Sequence, residues 1–173
     1  MVRILTWIGL RTITLCCRHI QKFRSKTWRR FVVLLNHTYE QIRFENVSYE
    51  KDADFFAKVR TESSFYLDNA SNFNPDEVKI FLKKEYSNYR IVNLDNVKIG
   101  YIRLSETVID TQKVNLVGLD LAEAFRGQGL AQQIYRKLIR FLQQKNLPIM
   151  LYVLDFNHRA YHVYEKIGSR EIN

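Results

Sequence analysis

Residues 119–131 have the composition of a turn that can bind an anion. An apolar stretch ends at Leu121, Gly127 and Gly129 follow, and an amphipathic pattern begins at Leu130. Glycines let the backbone approach a ligand closely, and the first N–H groups of a helix have no partner within the helix. These groups lie at the positive end of the helix dipole, so a pyrophosphate suits such a turn. A strand–turn–helix connection that binds no ligand has the same glycine spacing, and the residues alone leave this alternative open.

A second segment with side chains suited to chemistry, residues 157–168, lies near the end of the sequence. It spaces Asn157, Ala160, Tyr164 and Gly168 as on a helix that ends at the glycine. A tyrosine hydroxyl carries a proton at neutral pH and can pass it to a basic leaving group in a closed site. A core tyrosine with its hydroxyl at the surface would explain Tyr164 without any chemistry.

The elements that must position these segments are indicated by the periodicity that begins near residue 38. Alternating apolar and polar residues predict strands, and apolar residues spaced three to four apart predict helices. Ser48 and Asn74, which precedes Pro75, are predicted helix caps, and Asp95-Asn96 is a predicted hairpin turn. The predicted strands are 41–47, 89–94, 97–104, 114–121 and 149–154, and the predicted helices begin at 49 and 75 and cover 128–145 and 159–167.

The order of these elements, β-α-α-β-β-β-α-β-α, predicts an α/β (α+β) fold in which helices flank a mixed sheet. The helix after the glycine turn carries an apolar stripe, which is typical of a helix packed on a sheet. The stripe consists of Leu130, Ile134, Leu138, Phe141 and Leu142.

The two segments resemble, in order and in spacing, the two hallmarks of the GNAT superfamily of acyl-CoA N-acyltransferases. Arg126-x-x-Gly129-x-Ala131 is similar to the family signature Arg/Gln-x-x-Gly-x-Gly/Ala, which follows the central strand. Residues 157–168 are similar to the family pattern Asn-x-x-Ala-x-x-x-Tyr-x-x-x-Gly on the helix after the next strand. The resemblance covers residues 40–173 and implies a GNAT-like single domain with a mixed, mostly antiparallel sheet.

The resemblance implies an N-acetyltransferase that uses acetyl-CoA and no metal. An amine acceptor would attack the thioester directly, the Leu121 N–H would stabilise the oxyanion, and Tyr164 would protonate the leaving thiolate. The pantetheine arm would pair with the backbone of residues 119–121, where the central strand diverges from strand 149–154. The implied cofactor-binding residues are Leu119, Leu121, Arg126, Gly127, Gln128, Gly129, Leu130, Ala131 and Asn157.

The chain departs from the family at the general base. Many members carry a Glu early in the central strand, whereas residues 113–118 contain no carboxylate. Glu106 or Asp120 could act through an ordered water, but a solvated surface acid is the preferred interpretation of each, and the general base stays unassigned. Ser169 stands where the family usually has Phe. A non-catalytic module that binds or senses acyl-CoA is therefore the alternative to an enzyme.

The amine acceptor is expected over residues 63–73, between the first two predicted helices of the domain. This segment is polar and aromatic, which suits a small amine, an amino sugar or a protein N-terminus. The sequence carries no signal for an oligomeric state.

The positive charge of the chain is concentrated at its N-terminal end. The net charge is +9, and residues 1–39 contain eight basic and no acidic side chains, which leaves 19 basic and 18 acidic side chains in residues 40–173. Because the second part is nearly neutral, we expect no nucleic-acid partner.

We therefore divide the chain into a basic, apolar extension, residues 1–39, and an acetyltransferase-like domain, residues 40–173. Arginines interrupt the apolar runs of the extension, so a membrane-spanning helix is not expected. Residues 1–37 could contact an anionic membrane peripherally, act as a targeting peptide, or form an extension without a role. The adjacent Cys16 and Cys17 suit neither a disulfide nor a zinc site. A cytoplasmic location is expected, with an organellar or membrane-peripheral one as the alternative.

Overall fold

The structure, a computed structural model, describes residues 2–7, 39–64, 73–109 and 111–171. Within these ranges the elements follow in the predicted order, with one strand added before them and one after. They are β1 (Val2–Trp7), β2 (Ile42–Asn46), α1 (Tyr49–Glu62), α2 (Pro75–Glu85), β3 (Tyr89–Leu94), β4 (Val97–Ile109), β5 (Gln112–Leu121), α3 (Leu130–Gln143), β6 (Ile149–Leu154), α4 (His158–Lys166) and β7 (Arg170–Glu171).

The strands form one sheet in the order β2-β3-β4-β5-β6-β1-β7. Every neighbouring pair is antiparallel except β5 and β6, which are parallel and are joined by the crossover helix α3. The sheet is therefore mixed and mostly antiparallel, and the predicted fold class is confirmed.

The parallel strands β5 and β6 pair only at their beginnings. Asn115 and Leu116 lie opposite the first two residues of β6, and no later pair forms although β5 continues to Leu121. The two strands diverge from this point, and we call the opening between them the wedge. Backbone groups that face the wedge have no partner in the sheet, so a ligand with polar groups along its length can pair with them.

Helices cover both faces of the sheet, because the strands alternate apolar side chains between the faces. On one face, α1 and α2 pack on Tyr89, Ile91 and Tyr101. On the other face, α3 and α4 pack on a cluster that includes Val92 and Ile102. The two helix pairs thus form the walls on either side of the wedge.

The predicted apolar stripe of α3 is correct except at one position. Leu130, Ile134, Leu138 and Leu142 are buried, whereas Phe141 is 54% exposed. Position 141 lies about 100° around the helix from position 142, so it falls beyond the edge of the row that faces the sheet.

The two predicted helix caps have different outcomes. The Asn74 side chain accepts a hydrogen bond from the Asp76 N–H at 2.9 Å, as predicted. Ser48 occupies the N-cap of α1, but its side chain makes no cap bond. Instead the Ser48 N–H donates to the Asp52 carboxylate at 2.7 Å, and Asp52 pairs with Lys98 at 2.6 Å. This ion pair connects the start of α1 to β4.

β1 belongs to the segment that the sequence analysis set apart as an extension. It runs antiparallel to β6, with Val2 opposite Leu154 and Trp7 opposite Ile149. The boundary at residue 40 stays a prediction, and six residues before it pair with the sheet. The two cysteines and the rest of the basic segment lie outside the described residues. Among the residues described, no helix has the length and apolarity needed to cross a membrane.

Candidate active site

The turn between β5 and α3 has the geometry of an anion-binding backbone. Gly127 and Gly129 have φ angles of +77° and +75°, which glycine adopts at little cost. A Cβ built on either residue would meet no atom within 4 Å, so the space in front of the turn is open. The N–H groups of Gly129, Leu130 and Ala131 donate no hydrogen bond to another described residue. They are thus available to an anion at the N-terminus of α3.

The side chain of Arg126 holds this turn in place through three hydrogen bonds. Its Nε donates to the Leu121 carbonyl at 2.8 Å, and its two Nη atoms donate to the Glu62 carbonyl at 3.2 Å and the Ser63 Oγ at 2.9 Å. The Glu62 carboxylate in turn accepts from the Glu123 N–H at 2.8 Å. The signature arginine therefore ties the end of β5 to the end of α1, and because its own N–H donates to the Glu123 carbonyl at 3.1 Å, the free N–H groups of the turn are those that follow it.

A cavity of about 460 Å³ lies in front of the turn, and we call it the donor cavity. Gln128 does not line it, because its side chain is exposed and its Nε2 donates to the Ala124 carbonyl at 2.7 Å. Arg159 and Lys166 of α4 also contribute to the wall, so part of the lining is basic. The donor cavity is lined by all the other predicted site residues, namely Leu119, Leu121, Arg126, Gly127, Gly129, Leu130, Ala131, Asn157 and Tyr164.

The backbone of β5 presents alternate N–H groups to the wedge. The Asn115 N–H donates to the Pro148 carbonyl at 2.8 Å, on the β6 side, and the Ala122 N–H donates to the Ile99 carbonyl at 2.9 Å, on the β4 side. Because N–H groups alternate along a strand, those of Leu119 and Leu121 face β6, beyond the last β5–β6 pair. The residue predicted to stabilise an oxyanion therefore directs its N–H into the wedge.

Asn157 combines two roles at the start of α4. Its side-chain oxygen accepts from the Ala160 N–H at 3.1 Å and so caps the helix. The cap uses the oxygen, so the donor that remains for a ligand is the side-chain NH2 group.

Tyr164 is buried beside a second tyrosine. It is 7% exposed, and its hydroxyl accepts a hydrogen bond from the Tyr135 hydroxyl at 3.3 Å. Burial raises the pKa of Tyr164 to about 12, against the effect of the Tyr135 hydrogen bond and together with the nearby charge of Asp120. Tyr164 therefore keeps its proton at neutral pH. Sequence reasoning missed Tyr135, because a tyrosine among the apolar residues of a helix looks like an ordinary core residue.

A second cavity, of about 800 Å³, opens on the other side of the wedge, and we call it the acceptor cavity. Its walls come from α1, α2 and strands β3 to β6, together with residues of α4 and its N-cap. Five residues line both cavities, so the two cavities meet at the wedge. These residues are Leu119, Asp120, Asn157, Ala160 and Tyr164.

Asp120 lies where the two cavities meet. It is partly buried, and burial raises its pKa, although Tyr101, Arg60 and Ser63 stabilise its charged form. The surface-acid interpretation of Asp120 was therefore wrong. A carboxylate with a raised pKa at this junction has the properties of a general base.

Glu106, the other candidate base, lies away from both cavities. Its carboxylate pairs with Lys113 at 2.7 Å and with Lys145 at 2.8 Å. Hydrogen bonds from these two lysines lower the pKa of Glu106 to about 2. Its charge is thus held by a surface network, which agrees with the interpretation as a solvated surface acid.

The segment predicted to lie under the acceptor is described only at its ends. Ser63 lines the donor cavity and Phe73 lines the acceptor cavity, while residues 65–72 lie outside the described residues. In the part of the chain that the structure describes, no group of three His, Cys, Asp or Glu side chains could hold a metal ion.

Several solved structures have the same fold as this chain. The acetyltransferase (GNAT family) from Bacillus anthracis matches with a TM-score of 0.63 at 18% identity, over 75% of this chain and 80% of that one. The spermidine N-acetyltransferase from Vibrio cholerae in complex with CoA and spermine matches with a TM-score of 0.65 at 19% identity, over 78% and 83%. The predicted acetyltransferase with acetyl-CoA from Clostridium acetobutylicum matches with a TM-score of 0.58 at 14% identity, over 76% and 92%.

The family assignment comes from the sequence itself. No curated protein matches the sequence significantly. The model of the Acetyltransferase (GNAT) family matches residues 39–168, which include the glycine turn, the wedge strands and Tyr164. The match covers most of the chain, and the chain therefore belongs to the GNAT family of acetyltransferases.

Proposed function

We propose that this chain transfers the acetyl group of acetyl-CoA to a primary amine by direct attack. The observation that carries the proposal is the meeting of two cavities at the wedge, with Asp120 and Tyr164 in the walls of both. A transfer between two substrates needs this arrangement, because each substrate requires its own site and the reacting atoms must touch.

The donor cavity fits acetyl-CoA at three places. The free N–H groups of Gly129 to Ala131 would bind the pyrophosphate, and Arg159 and Lys166 would add positive charge for the phosphates. The Leu119 N–H would pair with the pantetheine arm along the wedge. Relatives whose structures contain acetyl-CoA or CoA have the same fold.

The thioester would then lie beside the N–H of Leu121. This group would donate a hydrogen bond to the carbonyl oxygen as it becomes an oxyanion, and the sheet already fixes its direction. The amine would approach from the acceptor cavity and lose its proton to Asp120, directly or through a water.

Tyr164 would supply the proton that the departing thiolate needs. Its phenol is protonated at neutral pH, but burial raises its pKa to about 12, above the value of about 8.5 for an ordinary thiol, so the proton transfer to the thiolate is uphill. The hydrogen bond from Tyr135 favours the phenolate, so it offsets part of this mismatch when the proton leaves.

The test is a calorimetric titration of acetyl-CoA into the full chain and into a Gly129→Glu variant. Gly129→Glu places a carboxylate in the open space of the turn, where it would repel the pyrophosphate and occupy the site. We expect micromolar binding by the native chain and none by the variant. Gln143→Glu adds the same charge on an exposed position at the far end of α3 and should bind normally.

An amine panel with free CoA as the readout completes the test. Release of CoA with at least one amine supports the enzyme. If the native chain binds acetyl-CoA but no amine releases CoA, the chain is an acyl-CoA-binding or sensing module. If the native chain does not bind acetyl-CoA, both forms of the proposal fail.

A further inference from the structure

The acceptor cavity contains a basic side chain that the transfer chemistry does not use. Arg60 of α1 is half-buried, and its guanidinium lies 5.1 Å from the ring centre of Phe73 and 5.5 Å from that of Phe81. It forms no ion pair with a carboxylate within 4.0 Å among the described residues. A guanidinium has five N–H donors, so this one retains donors for a ligand with acceptor oxygens.

The hydroxyl of Tyr101 is a second polar group in this wall that is available to a ligand. Tyr101 is 1% exposed and lines the cavity, and its hydroxyl lies near Arg60 and Asp120 but makes no well-formed hydrogen bond in the described part of the chain. The ring cannot turn away easily, because it stacks on Phe56 at 4.0 Å and meets Tyr89 edge-on at 5.7 Å. A buried hydroxyl without a well-formed hydrogen bond costs free energy, so a ligand oxygen that accepts from Tyr101 would stabilise the complex.

Arg60, Tyr101 and Asp120 lie close together. Arg60 stabilises the charged forms of both Asp120 and Tyr101, which requires that the three groups are near neighbours. Asp120 is at the junction with the donor cavity, whereas Arg60 lines the acceptor cavity only. The acceptor cavity therefore presents the negative charge of Asp120 next to the donor cavity and the positive charge of Arg60 further from it.

We propose that the acceptor is a primary amine that carries an oxyanion, a carboxylate or a phosphate, a few bonds from its nitrogen. The oxyanion accepts hydrogen bonds from Arg60 and Tyr101, and the nitrogen lies beside Asp120. This inference rests on the proposed function, because it takes the larger cavity as the acceptor site. The body of the acceptor contacts aromatic rings of the cavity, which include Phe73, Phe81, Tyr89, Tyr101 and Tyr152.

A polyamine does not fit this arrangement. Spermidine, the acceptor named for the Vibrio cholerae relative, carries only positive charges and has no oxyanion for Arg60 and Arg103, which line this cavity together with the acids Asp120 and Glu85. Like charges at short distance in a partly dry site repel strongly. Spermidine is therefore the ligand that the cavity should reject.

The test uses pairs of amines that differ only in the oxyanion. Phenylalanine and phenethylamine compare a carboxylate with none, phosphoethanolamine and ethanolamine compare a phosphate with none, and spermidine is the cationic reference. Binding to the full chain is measured by calorimetry with and without CoA, so the result does not depend on turnover. We expect the oxyanion member of at least one pair to bind tenfold or more tightly than its partner, and that pair identifies the carboxylate or the phosphate as the group bound.

Three variants decide whether Arg60 is the cause. Arg60→Gln should weaken binding of the oxyanion member about ten- to a hundredfold and leave its partner unchanged. Arg60→Lys keeps the charge but loses the planar fork, so part of the preference should remain. Arg136→Gln removes an exposed arginine of α3 and should change neither member. Thermal unfolding of each variant shows whether it is folded.

Two kinds of failure are distinguishable. Equal binding within both pairs, no binding by any member, tighter binding of spermidine, or a preference that survives Arg60→Gln overturns the oxyanion proposal. None of these results changes the outcome of the acetyl-CoA titration or of the assay for free CoA. Those two experiments test the transfer function, which can be correct even if the oxyanion proposal is wrong.

Discussion

The donor and acceptor cavities meet at one wedge but are built from different kinds of groups. The polar contacts of the donor cavity come largely from backbone N–H groups of one short turn and one strand, near Gly129 and Leu121. The acceptor cavity presents side chains from α1, α2 and four strands, among them Arg60, Tyr101 and Asp120. The backbone site recognises an anionic group that many cofactor-like ligands share, whereas the side-chain site selects one ligand by its own charges and hydrogen bonds.

This difference explains how one fold can keep its donor while its acceptor varies. The turn depends on glycines and a helix start, which tolerate changes elsewhere in the chain. The acceptor wall can change one side chain at a time without disturbing the turn. If the two cavities differ in this way, single substitutions should change the affinity for acetyl-CoA, the rate of transfer and the affinity for the amine independently.

The largest effect is expected for Tyr164→Phe, which keeps the ring but removes the proton donor. We expect kcat to fall about a hundred- to a thousandfold, because a positioned acid is lost. The affinity for acetyl-CoA should change little, since the turn and the wedge are intact. Single-turnover rates and calorimetry on the same protein measure the two quantities separately.

Tyr135→Phe is the matched control for this substitution. It removes the hydroxyl that donates to Tyr164 but keeps the edge-on ring contact, at 5.4 Å between ring centres. We expect a loss of only a few-fold, because Tyr135 acts through Tyr164. A full rate in Tyr164→Phe, or an equal loss in both variants, would contradict the assignment of Tyr164 as the acid.

The second prediction concerns Asp120→Asn, which should lower activity while raising stability. Loss of the base should reduce kcat/KM by about a hundredfold. Burial raises the pKa of Asp120, so the folded state favours the protonated form relative to the unfolded state. At neutral pH the charged carboxylate therefore costs stability, and Asn removes this cost.

The pH dependence of stability gives the sign of this effect. The cost is absent below the ordinary aspartate pKa of 3.8 and grows as the pH rises through the raised pKa. The Tm of Asp120→Asn should therefore exceed that of the native chain at pH 7, and the difference should close as the pH falls towards 4. A lower Tm for the variant at pH 7 would mean that Asp120 is mainly a structural partner of Arg60 and Ser63.

The third prediction tests whether both cavities depend on the end of β5. A Cβ on Gly100 would lie 2.2 Å from the Asp120 carbonyl oxygen and 3.0 Å from the Leu121 Cα, which are backbone atoms. Gly100→Ala should cost about 1–3 kcal/mol of stability and weaken acetyl-CoA binding, because β4 or β5 must shift. Denaturant unfolding and calorimetry measure both effects.

Gly118→Ala is the stability control for Gly100→Ala in the same pair of strands. Its Cβ would meet only the Arg103 Cβ, at 3.7 Å, which is an ordinary contact. We expect its free energy of unfolding to stay within about 1 kcal/mol of the native value. Similar losses in both variants would show that any added Cβ disturbs these strands, and that the end of β5 is not special.

Sequence patterns anticipated the elements whose causes are local. The hairpin turn at Asp95-Asn96, with φ angles of 49° and 65°, and the buried strand Ile149–Leu154 follow from a few adjacent residues. The glycine turn was anticipated for the same reason, since Gly127 and Gly129 carry the conformation themselves. The family resemblance then supplied the order of the segments around the wedge.

The long-range contacts of both cavities could not be anticipated, because they join residues that are distant in the chain. Ser63 and Arg126 meet across 63 positions, and Tyr135 and Tyr164 across 29. No pattern within one helix indicates that Arg60 lies over Phe73 and Phe81, or that burial raises the pKa of Asp120. These features arise when the helices pack on the sheet, so they became visible only in the structure.

The smallest effect is expected for Glu106→Gln, which separates the two carboxylates that the sequence offered as bases. The Glu106 carboxylate has a pKa of about 2 because Lys113 and Lys145 donate hydrogen bonds to it, and it lines neither cavity. We expect kcat/KM to stay within about twofold of the native value. Since exposed ion pairs contribute little, Tm at pH 7 should also change little, and the small difference should vanish as the pH falls below the ordinary glutamate value of 4.5 towards 2. A large loss of activity in Glu106→Gln, together with full activity in Asp120→Asn, would contradict the assignment of Asp120 as the general base. It would show that the base does not lie at the junction of the two cavities.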